Sequence, residues 1–275
     1  MRTKTIVITG ASDGIGAAAA RRLARRGHRL IVVGRSAEKT DAVARQTGAE
    51  PLVADFASLD DVRGLADELL RICPVIDVLA NNAGLLGPKA RVVTADGHEL
   101  TDQVNYLAPY LLDQLLLDRL LTSHATVIAT SSLAHWGGRI DLADLDHERS
   151  YQGFGAYADS KLVLLLHTRE LERRFGHRGL TSVAFHPGVV SSNFSAGSGT
   201  FVERFYHSSA RALLPTTPDR GADTLCFLAE AEPGIDFPPG GYVVRRKPAA
   251  VRACVRDPYL AEALWDRTER MLAVG

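Results

Sequence analysis

The chain has 275 residues, enough for one large α/β domain or two small ones. With 46% hydrophobic and 23% charged residues its composition is that of a soluble globular protein, and 32 basic against 32 acidic residues leave no net charge to draw nucleic acid or an anionic membrane. Cys73, Cys226 and Cys254 lie far apart and form no CxxC pair, so they read as reduced thiols; no signal peptide is evident and no apolar run nears about 20 residues, so the expectation is a cytoplasmic protein without a membrane anchor.

Short apolar runs alternate with longer helical stretches. Thr5 to Thr9 reads as a buried strand, Ala17 to Gly27 as a helix ended by its glycine, and Leu30 to Val33 as a second strand. A helix is expected from Ala37 to Gly48, a strand over Pro51 to Ala54, a helix capped by Ser58 and running to Arg71, and a strand over Val75 to Ala80. A single long helix is expected from His98 to Leu121, then a strand at Thr126 to Thr130, a helix over Gly155 to Phe175 and a strand at Leu180 to Phe185. Thr217 to Ala231 looks helical, Gly241 to Val244 looks like a last strand, and Asp257 to Leu272 closes as a helix. Repeated strand–helix–strand units with continuous apolar strands require a mostly parallel sheet covered on both faces. The expected fold is one doubly wound α/β (Rossmann) domain over residues 1–275, with about seven strands. Two irregular stretches, near 133–154 and 187–218, follow strand C-termini, where such sheets bind ligands.

Gly10, Gly14 and Gly16 follow the first strand at a GxxxGxG spacing. Glycines permit a sharp turn, and a helix N-terminus beyond them faces a pyrophosphate. The second strand ends in Gly34-Arg35-Ser36, with no acid to take a ribose 2′-hydroxyl and a guanidinium suited to a 2′-phosphate. NADP(H) is therefore expected over NAD(H), with Ser12 and Ser36 adding hydroxyl contacts. Tyr157 and Lys161 are four residues apart, on one face of a helix. At ~4 Å and an effective dielectric of ~20 the ammonium stabilises a phenolate by roughly 4 kcal/mol, about three pK units. Strand alternation sends Ser131 and Ser132 to opposite sides, so only one of them faces a substrate. The nine histidines show no metal-binding spacing, and no metal is expected.

Together, and in this order, these motifs resemble the short-chain dehydrogenase/reductase family in its compact branch, over essentially the whole chain. The resemblance implies that Gly10, Ser12, Asp13, Gly14, Ile15 and Gly16 cradle the cofactor, that Asp55-Phe56 meets the adenine, and that Asn82, Ala83 and Gly84 line the adenosine ribose. It implies a catalytic set of Asn105, Ser132, Tyr157 and Lys161, and a Pro187-Gly188-Val189-Val190-Ser191-Ser192 segment in which Pro187, Gly188, Val190 and Ser192 touch the cofactor. Ser131-Ser132-Leu133-Ala134-His135 and the terminal strand and helix resemble retinol-dehydrogenase-like and WW-domain-oxidoreductase-like members.

The expected reaction is a carbonyl–alcohol interconversion on a lipophilic small molecule by hydride transfer, with Tyr157 as general acid or base. Substrate contacts are expected from Leu133, His135, Trp136, Phe154, Val189 and Phe194 in and beside the two loops. Leucine-rich faces over Leu107 to Leu121 and Leu162 to Leu171 suggest a homo-oligomer, unless neighbouring helices and the C-terminal segment cover them. The competing readings are a nucleotide-sugar epimerase or dehydratase and a non-catalytic NADP(H)-binding interaction protein.

Overall fold

A computed structural model describes residues 2–188 and 217–273. The strands are β1 (Thr5–Thr9), β2 (Arg29–Gly34), β3 (Glu50–Val53), β4 (Val78–Asn81), β5 (Thr126–Thr130), β6 (Thr181–His186), β7 (Gly241–Val244) and the two-residue β8 (Lys247–Pro248). They form one sheet in the order β3-β2-β1-β4-β5-β6-β7-β8, in which every pairing is parallel except β7 with β8. The strand order reverses between β1 and β4, the crevice where doubly wound sheets take their ligands. Successive residues alternate between two cores. Val7, Ile31, Leu79 and Val127 face one side; Ile6, Ile8, Val32 and Ile128 face the other. The outermost strands each carry a proline, Pro51 in β3 and Pro248 in β8.

Helices α1 (Gly14–Ala24), α2 (Ala37–Thr47) and α3 (Leu59–Ile72) have Asp13, Ser36 and Ser58 as N-caps; Ser58 is the cap the sequence indicates, and α1 starts three residues before the expected Ala17. The long helix expected over 98–121 is instead broken. It comprises α4 (Leu100–Asp102), a π-helical turn over Gln103–Leu107, α5 (Ala108–Leu115) and α6 (Leu117–Thr122). Pro109 explains the wide turn. It has no amide hydrogen, and the ladder shifts so that the Ala108 amide reaches back five residues to the Gln103 carbonyl.

Helix α7 (Gly153–Phe175) packs on one sheet face and α8 (Pro218–Glu230) on the other. The final helix, α9 (Pro258–Leu272), lies on α7 and α5. Its Trp265 meets Tyr110 at 5.0 Å, stacks on His167 at 5.6 Å and carries the Arg174 guanidinium 4.6 Å from its ring. Leu107, Leu111, Leu112 and Leu162 to Leu166 are all buried within the single chain. The leucine-rich faces read as an oligomer signal are thus buried within the chain itself, α7 chiefly against the C-terminal helix and α5 chiefly against α3, and their pattern requires no second copy.

Candidate active site

The cofactor end is built by close backbone approach. A Cβ on Gly10, whose φ is +64°, meets the Ala83 Cα at 2.7 Å; one on Gly16 meets the Gly10 carbonyl oxygen at 2.4 Å. Asn82 ties the two segments by donating from its Nδ2 to the carbonyls of Thr9 and Gly10, at 3.0 and 3.3 Å. The Thr9 hydroxyl accepts from the Asn82 and Ala83 amides, both at 3.0 Å. The Asp13 carboxylate accepts from the Gly14 amide at 2.7 Å and faces Lys39 at 4.0 Å. Beyond Gly14, the first-turn amides of Ile15 and Gly16 have no intrahelical acceptor, which suits an anion. Gly34 closes β2 against Ser12, whose Cβ is 2.7 Å from a Cβ built on Gly34. Arg35 follows it, exposed, while the Ser36 hydroxyl caps α2 by accepting from the Lys39 amide at 3.4 Å and keeps its own proton to donate. Asp55 accepts from the Ala57 amide at 3.0 Å, Phe56 is buried, and Gly84 is half-buried beside Ala83. This cradle fits a dinucleotide. Its backbone leaves no room for side chains where a pyrophosphate passes, and its charged corner stands at the end of β2.

The remaining site residues converge from β5, the π-helical turn and the first turns of α7. Tyr157 and Lys161 lie on one face of α7, with the Lys161 Nζ 5.7 Å from the Tyr157 ring centroid. Lys161 is buried and donates to the Thr130 carbonyl at 3.0 Å. Burial pushes its pKa from the ordinary lysine value down to about 8. The ammonium is therefore a costly buried charge rather than the freely charged neighbour that the spacing suggests.

The two serines diverge. Ser131 donates from its hydroxyl to the Lys161 carbonyl at 3.0 Å and from its amide to the Phe185 carbonyl at 2.8 Å, so it is committed to structure. Ser132 accepts from the Ala134 amide at 3.2 Å and keeps its own hydroxyl proton to donate. Asn105 sits in the π-helical turn with its amide fully used. It accepts from the Leu85 amide at 2.8 Å and donates to the Leu85 carbonyl and the Ser160 hydroxyl, each at 3.0 Å. Pro109 stands four residues on, so the Asn105 main-chain carbonyl has no α-helical donor.

Leu133, Trp136 and Phe154 are all exposed, at 49, 52 and 40%, an apolar rim beside Tyr157; the Phe154 and Tyr157 rings are 6.2 Å apart. His135 departs from the expectation of a pocket wall. It is completely buried behind this rim, because its ring turns inward to bond the Ser132 carbonyl and to meet the Tyr242 ring. Pro187 and Gly188 leave β6 at the same end, with Gly188 at φ +90°. Val189, Val190, Ser192 and Phe194 lie outside the described residues. Among the described residues no three His, Cys, Asp or Glu gather to hold a metal, and no helix is long and apolar enough to cross a membrane.

One polar cluster was not anticipated. In the segment before α7, His147 adopts φ +52° and its Nε2 pairs with Asp102 at 3.1 Å, while Asp146 accepts from the Glu99 amide at 3.0 Å and meets His98 at 3.2 Å. Tyr151 donates to the Pro88 carbonyl at 2.8 Å. Burial raises the Asp102 carboxyl to about 7. Burial also works against a charged His147, but the bond and charge of Asp102 outweigh it and raise the imidazole to about 9. These pairs pin the segment to the turn that carries Asn105. No spacing in the sequence marks them, since they join segments remote from each other along the chain.

The comparisons agree with this geometry. Residues 4–201 match the family model for short chain dehydrogenase. The chain is 39% identical over 270 residues to a protein of Streptomyces sp. (strain C5) named for daunorubicin C-13 ketoreductase activity, DnrU, spanning 96% of this chain and 90% of that one. It is 35% identical over 283 residues to human retinol dehydrogenase 13, spanning 98% and 85%. A crystal structure of an uncharacterised protein from Mycobacterium paratuberculosis superposes with a TM-score of 0.80 at 33% identity, covering 98% of this chain and 93% of that one. With the cradle, the parallel sheet and the Tyr–Lys helix in place, this chain belongs to the short-chain dehydrogenase family of oxidoreductases.

Proposed function

We propose that this protein interconverts a carbonyl and an alcohol on a lipophilic small molecule, with NADP(H) as its preferred cofactor and Tyr157 as the proton donor and acceptor. The observation that carries this reading is Tyr157 and Lys161 on one face of α7, with Lys161 tied to the end of β5 just before Ser132, beside an apolar rim at the C-terminal end of the sheet. The nicotinamide, when bound, supplies or accepts the hydride. In the reductive direction Ser132 donates to the substrate carbonyl oxygen and orients it. Tyr157 gives its proton to the developing alkoxide, and the nearby ammonium of Lys161 favours the resulting phenolate. Lys161 has donors beyond the one spent on Thr130, and these suit ribose hydroxyls. Asn105 supports a water through its main-chain carbonyl, since its side chain has no hydrogen left to give.

The rim of Leu133, Trp136 and Phe154 supports a lipophilic substrate, in keeping with relatives named for daunorubicin, retinol and polyprenol. Arg35, with no acid after β2, supports a 2′-phosphate.

The test follows reduced-nicotinamide absorbance with both cofactors against retinaldehyde, daunorubicin, decanal and acetophenone, and the corresponding alcohols. Tyr157→Phe should abolish turnover while NADPH still binds, by fluorescence titration, within about threefold of the parent protein. Tight NADPH binding without turnover of any of these compounds, or full turnover by Tyr157→Phe, overturns the reading.

A further inference from the structure

We propose that His135 is the positioning residue of the catalytic serine: its imidazole holds the Ser132 carbonyl and thereby sets where the Ser132 hydroxyl points. This role rests on Ser132 being the group that orients the substrate carbonyl. Thr130 ends β5, and Ser131 is the last residue fixed by the sheet and by α7. Ser132 then runs extended, at φ −150° and ψ 157°, into a 3-10 turn over Leu133–Trp136. Two kinds of contact hold it there. Its side chain accepts from the Ala134 amide, and its carbonyl accepts twice from His135, from the amide at 3.2 Å and from Nδ1 at 2.6 Å. The turn is closed by the Gly137 and Gly138 amides on the Ala134 and His135 carbonyls, while the Leu133 and Trp136 side chains are about half exposed.

A packing role does not account for this imidazole. His135 is completely buried, and among the described residues its Nε2 has no hydrogen-bond partner. The same is true of the Tyr242 hydroxyl, whose ring meets His135 edge-on at 5.1 Å, and of the His186 Nδ1. A leucine or phenylalanine in that place avoids the cost of burying an unpaired polar atom, roughly 1–3 kcal/mol. A polar ring there is explained by what its other nitrogen does. A carbonyl only accepts, so Nδ1 carries the hydrogen and Nε2 carries the lone pair. The groups facing the ring keep it neutral. Burial is the largest influence and lowers its pKa, the bond to the Ser132 carbonyl raises it, the Arg252 guanidinium lowers it, and the net direction is down; its neighbour His186 is itself pushed down to about 4. A neutral ring with its hydrogen on Nδ1 is a donor aimed at the Ser132 carbonyl, which suits a part that must not move.

The test compares variants that keep or lose a donor at Nδ1. The side-chain amide of asparagine reaches the Nδ1 position; that of glutamine reaches Nε2. With reduction of retinaldehyde, and of daunorubicin as second carbonyl, His135→Leu and His135→Gln should lose about thirtyfold in kcat. His135→Asn should stay within about threefold of the parent. The KM for NADPH should stay within about twofold in all three. In a Ser132→Ala background, His135→Leu should add no further loss to the residual rate, because the two act through one group. Equal rates for the asparagine and glutamine variants, or losses that multiply in the double variant, overturn the proposal. Full turnover by Ser132→Ala alone instead overturns the role of Ser132 on which it stands. Independently of any substrate, nitrogen-15 spectra of histidine-labelled protein, assigned by loss of signal in His135→Asn, should show His135 protonated at Nδ1 and bare at Nε2 from pH 6 to 8. A charged ring, or the hydrogen on Nε2, overturns it as well, and this measurement decides alone if His135→Leu does not fold.

Discussion

The two ends of the crevice are held by different physics. At the cofactor end, backbone meets backbone: Gly10 against Ala83, Gly16 against the Gly10 carbonyl, and Asn82 stitching the gap. At the substrate end, titratable side chains hold the segments: Lys161 on Thr130, His135 on Ser132, and His147 on Asp102. The first arrangement tolerates no added atom but is indifferent to pH. The second admits many side-chain choices, and its Lys161 and His147–Asp102 contacts respond to protonation. A fold that keeps one cofactor while changing substrates gains from this division, because the variable end is held by replaceable parts.

The comparison breaks first at Gly16. Gly16→Ala puts a methyl 2.4 Å from a carbonyl oxygen, and backbone cannot step aside as a side chain can. NADPH affinity should fall by at least about 100-fold, on the order of 3 kcal/mol, in a fluorescence titration. An alanine variant that binds within threefold of the parent removes the contrast altogether.

Lys161 tests the other end. Its folded pKa lies below its unfolded one, so the native state sheds its proton first and stability rises with pH between about 8 and the ordinary lysine value. At pH 7 the buried charge costs on the order of 3 kcal/mol. Lys161→Met should therefore be inactive yet more stable by denaturant unfolding at pH 7, with the gain shrinking as the parent protein loses its proton above pH 8. Equal or lower stability at pH 7 contradicts the account.

His147 and Asp102 give a smaller effect of opposite slope. Both have raised pKa values in the folded state, so the native state holds more protons, and their support declines as pH rises through about 7 and then about 9. His147→Gln should cost about 1–2 kcal/mol at pH 6.5 and much less at pH 9.5. A loss that does not vary with pH points to packing instead. The mildest change is Arg35→Ser, which should reduce the preference for NADPH over NADH about tenfold, about 1.4 kcal/mol, in the ratio of kcat/KM values.

The sheet was legible because its strands are continuous apolar runs and its helices carry ordinary caps; Ser58 caps its helix as expected, while Ser36, read as a cofactor contact, also serves as a cap. The cradle was legible because glycines at a fixed spacing mark places where a side chain cannot fit. The break in the 98–121 helix was written in Pro109, which falls in the middle of that span where a missing amide hydrogen disrupts the ladder, yet periodicity alone does not reveal a turn one residue wider. The inward turn of His135 was not legible, because a histidine in a loop beside Ser132 can line a pocket or pack the loop with the same local sequence. That depends on the Ser132 carbonyl and on Tyr242, far along the chain in β7. The pairs His147–Asp102 and His98–Asp146 were invisible for the same reason, since ion pairs that join remote segments leave no local pattern.

Pro51 and Pro248 occupy the two rims of the sheet, where other strands would otherwise dock. Neither can offer an amide outward, and the β7–β8 hairpin that sets Pro248 in place turns tightly through Arg245 and Arg246, both at positive φ. The parallel array therefore ends at both flanks in residues that cannot template a neighbour, so an enzyme with a largely apolar sheet is guarded against growing sideways into a fibre.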